Sequence, residues 1–246
     1  MSDVLSRRAL LAAGAAALGG SVLSACRDVL PPSYGSLLGI GDTMTYAAHR
    51  LLLPGRALAP EFDRRQITPF PAINTVDPEN ETYRRYRAGG FADWRLPVTG
   101  LVDRPLSLSV ADLKAFPART QVTQHHCERG WTAIAEWTGV SLGRVLEAAA
   151  IQRDARYVVM HCYDRLWDSY DLVDAFHPQT LLAYGMNGRD LPVPHGGPVR
   201  LRVERQLGYK NLKFLARLTV VDRLDTVDNG KGSLAAAYGY SWYAGI

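Results

Sequence analysis

One stretch of this 246-residue chain gathers side chains able to do chemistry: Gln124-His125-His126-Cys127-Glu128-Arg129-Gly130-Trp131, with Trp137-Thr138-Gly139-Val140-Ser141-Leu142 shortly after it. Three readings compete. A zinc site built from His125, His126 and Cys127 fails on geometry, because consecutive residues of a strand point to opposite faces and cannot converge on one ion. A cysteine nucleophile with a histidine base is possible, although no third group to orient the base is evident. A single thiolate on a soft metal, whose other ligands come with a cofactor, needs only Cys127. A strand ending in a turn at Gly130 would place that thiol at the mouth of a pocket. An isolated cysteine is more often a small core residue, so this stretch alone leaves the choice open.

The elements that must position Cys127 can be read from pattern. Arg119–His126 reads as a strand running into it. Trp94–Val102, Tyr157–Cys162, Val199–Val203 and Phe214–Val221 are further strands by alternation or by Val/Met content. Thr180–Tyr184 and Asp190–Val193 flank Met186-Asn187-Gly188, a hairpin signal. Short helices are expected over Ser109–Phe116, over Leu142–Ala150 behind a Ser141 cap, and over Asp171–Phe176. Thr43 to Leu53 has helical spacing with Asp42 as its cap, and Gln66 to Pro78 should be an irregular extended strap. Strands do not alternate with long helices, so the fold class is α+β with largely antiparallel sheet.

Composition adds limits. Net charge is +4, and no Lys/Arg run suggests nucleic acid as a partner. Three cysteines (Cys26, Cys127 and Cys162) are too few and too dispersed for a disulfide framework. A Cys127–Cys162 disulfide is permitted in an oxidising compartment and would exclude Cys127 as a metal ligand. Residues 1–25 read as an export signal: Arg7-Arg8 precede a Gly- and Ala-rich apolar stretch and fit a twin-arginine signal, with a general secretory signal as the alternative. Leu23-Ser24-Ala25-Cys26 reads as a lipoprotein box, so Cys26 is the expected lipid anchor. Residues 26–60 are then a tether with a short helix, and 61–246 the catalytic domain. These calls place the protein in the periplasm or cell envelope.

A longer match gives Cys127 a context. Cys127, Trp131, Trp137, Gly139, Val140 and Leu142 together resemble the metal-ligand segment of the sulfite-oxidase superfamily. The run His177–Leu215, HPQTLLAYGMNGRDLPVPHGGPVRLRVERQLGYKNLKFL, resembles its second signature. The likeness covers roughly residues 65–222 and is strongest to the bacterial periplasmic branch with the protein-methionine-sulfoxide reductase catalytic subunit. It implies a sulfite-oxidase-type fold holding a molybdenum–molybdopterin cofactor, with Cys127 as catalytic residue and metal ligand. It also implies cofactor contacts from Asn74, Cys162, His195, Arg200, Asn211, Leu212 and Lys213. His195 stands where the reductase has an asparagine, and Cys162 where it has a threonine. Arg200, Lys210 and Lys213 would supply charge for a terminal phosphate.

The implied reaction is oxygen-atom transfer or sulfoxide reduction on a small-molecule or protein-bound substrate. No haem, iron–sulfur or nucleotide motif occurs in the chain, so electrons would be exchanged with a membrane haem protein or a cytochrome. Sulfite dehydrogenation would need several cations around the metal to hold the anion. Only Arg129 offers itself, which favours sulfoxide reduction. Without room for the dimerisation domain of the vertebrate and plant enzymes, a monomer is expected. Two further readings stand beside this one: a metal-free exported binding module on the same scaffold, and a thiol hydrolase or thiol-redox protein.

Overall fold

Tyr157–Cys162 (β5) explains its own composition. Val158 and Met160 face the main core, while Tyr157 and Val159 face a second apolar cluster with Tyr46, Trp242 and Tyr243. A strand buried on both faces reads as a continuous apolar run. The computed structural model describes residues 37–246 apart from 54 and 56. The expected export signal, Cys26 and the first part of the tether lie outside the described residues.

Two five-stranded sheets form the domain. In the first, β5 lies between Trp167–Asp171 (β6) and Leu215–Val221 (β10). Beyond β10 come Leu96–Gly100 (β1), which pairs with it in parallel, and Leu106–Leu108 (β2). The second sheet runs Ala118–His126 (β3), Thr132–Ser141 (β4), Leu181–Met186 (β7) and Arg189–Asp190 (β8), with Arg200–Arg202 (β9) also on β7. The inner faces meet in one core, where Leu96, Val98 and Leu218 pack with Val140, Leu182 and Leu201. Every pairing other than β1 with β10 is antiparallel. The α+β expectation therefore holds.

β3 and β4 form a nine-pair hairpin, from Ala118↔Val140 to His126↔Thr132. A register shift at Thr138/Gly139 turns Ala135 and Trp137 into a small cluster with Met186 and Leu191, and Val140 into the main core. A Cβ on Gly139 would lie 2.4 Å from the Leu182 carbonyl oxygen, so only glycine fits that crossing. The Asn187-Gly188 turn has positive φ at both residues (51° and 74°), as a tight hairpin requires.

Several expectations need correction. β8 is two residues long because Pro192 ends it and Val193–His195 forms a 3-10 turn. Asp42 lies inside the helix Leu37–Leu52 (α1) and caps nothing; its carboxylate accepts from the Ser241 hydroxyl at 2.6 Å. Ser141 makes no side-chain cap to Leu142–Ala149, and the Leu142 N–H instead donates to the Thr180 carbonyl. β4, β6, β2 and the helices Glu81–Ala88 and Leu234–Ala237 were not anticipated. Ser109 does cap Val110–Ala115, with Asp112 completing a capping box.

Candidate active site

The β3–β4 hairpin presents Cys127 on a four-residue turn. The Cys127 N–H donates to the Trp131 carbonyl at 2.9 Å, and the Gly130 N–H donates to the Cys127 carbonyl at 3.0 Å. Gly130 sits at φ 87°, which a side chain would strain. The thiol is buried at one wall of a cavity of about 330 Å³. Its Sγ accepts the Arg129 N–H at 3.5 Å and lies 3.6 Å from a Glu128 carboxylate oxygen. Burial raises the thiol pKa, against the Arg129 N–H, which lowers it. A 3-10 turn, Gly208–Lys210, closes over this wall. A Cβ on Gly208 would come within 2.8 Å of His125 Nε2 and 3.1 Å of Cys127 Cα, so the approach depends on glycine.

Neither neighbouring histidine serves the thiol. His125 Nδ1 lies 3.0 Å from Arg202 Nη1. A guanidinium only donates, so Nδ1 accepts and the neutral ring carries its proton on Nε2. Burial, then Arg202 and Arg200, push its pKa down to about 2. His126 points the other way, into a separate cavity with Gln124 and Glu204. Among the described residues no group of three His, Cys, Asp or Glu could hold a metal ion. Cys127 and Cys162 are both free thiols, so the disulfide is not formed.

Two cations line the same cavity. Arg200, on β9, is buried beneath Trp137, its guanidinium 5.0 Å from the ring centroid. It donates to the carbonyls of His195 and Asn211, each at 2.9 Å, and its Nε has no partner. Burial pushes its pKa down to about 9, which leaves it charged at neutral pH. Lys213 donates to the carbonyls of Ile73 at 2.9 Å, Pro194 at 3.2 Å and Thr75. Burial and Arg200 lower it to about 8. Among the described residues, neither cation has a carboxylate within ion-pair distance.

Asn74, at φ 59° in the strap, lines the same cavity, as do His195, Asn211 and Leu212. The Asn211 side chain is occupied by its own loop, accepting the Val203 N–H at 2.8 Å and donating to the Leu207 carbonyl at 3.2 Å. It offers the cavity backbone rather than amide. Cys162 stands apart from these: it ends β5 within the main core and does not reach the cavity wall. Lys210 is also elsewhere. It is fully buried, 2.5 Å from an Asp168 carboxylate oxygen, between the rings of Tyr170 and Trp242. It is paired with Asp168, is not among the residues lining the cavity and does not supply charge for a phosphate there.

Sequence reasoning missed Phe70. This strap residue makes ring contacts with His125, Trp131, Trp137 and His195 at centroid distances of 5.2–5.7 Å. An aromatic between two prolines of the strap was the available signal. The mouth is rimmed by Tyr209 and Tyr240, whose ring centroids are 5.0 Å apart, and by the exposed Tyr238.

The donor set fits an anionic, metal-bearing cofactor: one thiol, a guanidinium with an orphaned nitrogen, and an ammonium with no ion-pair partner line the same cavity. Comparison with known proteins agrees. Residues 86–227 match the oxidoreductase molybdopterin binding domain family. A putative protein-methionine-sulfoxide reductase subunit of Azospira oryzae is 33% identical over 244 residues, 99% of this chain and 89% of the relative. The catalytic subunit of a protein-methionine-sulfoxide reductase from Xanthomonas campestris is 32% identical over 150 residues, 54% of this chain and 47% of the relative. Among solved structures, the sulfane dehydrogenase SoxCD of Paracoccus pantotrophus superposes with a TM-score of 0.52 at 24% identity. The match covers 69% of this chain and 46% of that one, and it speaks for the fold alone.

Proposed function

The chain belongs to the oxidoreductase molybdopterin binding domain family, of the sulfite-oxidase type, and from that premise we propose that it is a molybdenum–pterin sulfoxide reductase of the cell envelope, fed electrons by a separate haem protein or cytochrome. One observation carries the reading. A buried thiol lines one cavity together with two cations whose hydrogen bonds go only to carbonyls.

Cys127 is the residue to hold the metal as a thiolate; a soft sulfur suits a metal already bound by dithiolene sulfurs. Arg200 and Lys213 are the residues to hold the phosphate end, as charge-assisted donors. His195, Asn74 and the backbone of Asn211 and Leu212 are the residues to seat the pterin between them. When bound, the cofactor supplies two-electron oxygen-atom chemistry; the protein supplies position and electrostatics. The Phe70 and Trp131 rings, with Trp137 packed behind Phe70, supply an apolar wall to the cavity that holds the thiol.

Sulfoxide reduction is favoured over sulfite dehydrogenation by charge placement. Arg129, next to the thiol, is exposed, and the buried cations sit with His195, Asn211 and the strap. A neutral sulfoxide needs no cationic ring at the metal, whereas an oxyanion does. The names of the methionine-sulfoxide reductase relatives point the same way. A thiol-only enzyme is disfavoured because no imidazole is placed to activate Cys127. For the envelope placement, the support is the sequence of residues 1–26; no helix among the described residues is long and apolar enough to cross a membrane.

The test is elemental analysis and pterin fluorescence on protein made with the cofactor pathway intact, beside Cys127→Ala. Near-stoichiometric molybdenum, with reduction of methionine sulfoxide that disappears in the variant, is the expected result. A metal-free protein, or unchanged activity in Cys127→Ala, sinks the reading.

A further inference from the structure

The helix α1 carries an apolar ridge that the described chain leaves uncovered. Ile40, Met44, Leu51 and Leu52 are 59–73% exposed. Their positions, with the exposed Ala48 between them, fall on one face of a helix. Gly41 and Thr45 are the other exposed residues there, so no charge interrupts the ridge. Leu58, 55% exposed, extends the apolar surface past the end of the helix.

The ridge cannot be hidden by turning the helix. Its opposite face is pinned: the Tyr46 hydroxyl donates to Asp171 at 2.7 Å, and Arg50 pairs with Asp171 at 2.6 Å and Asp174 at 3.0 Å. All of these carboxylate contacts are buried, so rotation would strand two carboxylates and a guanidinium in the core. An apolar surface held outward in this way marks a contact with a partner or a membrane.

Two features identify the partner as lipid. Ten residues, 27–36, separate Cys26 from Leu37 at the start of α1, a span of at most roughly 40 Å. The ridge is also uncharged and runs from Ile40 to Leu52 along a helix, which suits a deformable bilayer surface. The helix is joined to the cavity mouth as well. Asp42 accepts from Ser241, whose carbonyl accepts from the Tyr209 hydroxyl at 2.7 Å, and Tyr209 and Tyr240 rim the cavity.

We propose that the outward ridge of α1 lies in the headgroup region of a bilayer and thereby holds the cavity mouth at the membrane surface. The proposal rests on the envelope reading above. It accounts for how a one-cofactor enzyme keeps its electron-accepting face beside a membrane carrier: the anchor sets the distance and the helix sets the orientation.

The experiment replaces Met44 by an environment-sensitive fluorescent amino acid in the full-length, molybdenum-loaded protein. The protein is mixed with protein-free vesicles of phosphatidylethanolamine and phosphatidylglycerol. In the vesicle-bound protein, emission should shift to the blue. Brominated lipid should quench it, and aqueous iodide should quench it at least fivefold less than in the free protein. Cys26→Ser should weaken flotation while leaving residual binding, which Met44→Glu with Leu51→Glu should reduce at least tenfold. High salt should change that residual binding little, because the ridge is uncharged. A protein that floats but keeps position 44 open to iodide overturns the ridge proposal and leaves the anchor standing. A protein that does not float overturns both. Shielding seen in native membranes but not in protein-free vesicles assigns the ridge to a membrane protein and overturns lipid as its partner. Molybdenum content of the same preparation reports separately on the enzyme reading.

Discussion

Arg200 and Arg202 are two residues apart on one strand, on one face, over the same Trp137 ring (5.0 and 4.5 Å), yet they are treated in opposite ways. Arg202 is paired with the buried Glu204 at 2.6 Å. Arg200 has carbonyls and an empty Nε. The same split recurs three residues apart: Lys210 is paired with Asp168, whereas Lys213 has three carbonyls. A buried charge without a counter-charge is costly, and this fold can supply counter-charges, as Glu204 and Asp168 demonstrate. At the cavity Asp164 lines the wall and acts on Lys213 from beyond ion-pair distance, and Arg200 has no paired carboxylate, so neither cation is matched as Arg202 and Lys210 are, which leaves room for a ligand's negative charge.

The largest effect should come from breaking a structural pair. Lys210→Met leaves Asp168 buried and unpaired and should cost about 3–5 kcal/mol of stability in urea unfolding. Adding Asp168→Asn should restore most of it. A loss below about 1 kcal/mol for Lys210→Met would dissolve the distinction between the two kinds of cation.

A buried base that can shed its charge offers the next test. His177, held near Arg205, Arg119 and Arg50, has its pKa lowered to about 4, chiefly by burial. The unfolded chain takes up this proton near pH 6.5, the folded one only near 4. Stability is therefore intact above about pH 6.5 and falls as pH drops toward 4, by up to about 3 kcal/mol. His177→Gln should flatten that slope relative to the parent protein; parallel slopes would show that His177 titrates as freely folded as unfolded.

At the cavity the sign reverses. Arg200→Met removes a charge that the fold does not neutralise, so the cofactor-free protein should keep its stability to within about 1 kcal/mol. Molybdenum retention should fall at least tenfold. If the variant instead unfolds as readily as Lys210→Met, Arg200 is structural and the comparison fails. The smallest effect belongs to the surface: Arg223 and Asp225 form an exposed pair, and Arg223→Ala should leave the urea midpoint within experimental error.

Much of the scaffold could be read from the chain, and the reasons differ by element. β5 was legible because both its faces are buried and its Val/Met run is unbroken. β4 was not, although it carries Trp137 and follows Cys127. Its inward residues Ala133, Ala135 and Gly139 are small, so no alternation of large apolar side chains announces it. At the site, the turn at Cys127 was legible from Gly130, and the placing of Arg200 and Lys213 at one cavity with it was suggested by the second signature. Lys210 and Lys213 could not be separated by sequence, because only the register of the Gly208–Lys210 turn decides which one meets Asp168. Phe70 and the tyrosine rim escaped because their partners are 55 or more residues away or lie on irregular chain, where spacing carries no information.

The position of β10 has a consequence in time rather than space. It is inserted between β1 and β5, pairing with strands formed some sixty and more than one hundred residues earlier, so the first sheet stays split until residues 215–221 have been synthesised. The β3–β4 hairpin can form early, from neighbours in sequence, and such local pairings close fastest. Cys127 therefore takes its place on a hairpin, with the strap already available to pack on β4, well before the Lys213 segment and the tyrosine rim can surround it. The cavity is finished last, by residues 194–240, and the cofactor must meet a nearly completed polypeptide rather than a growing one.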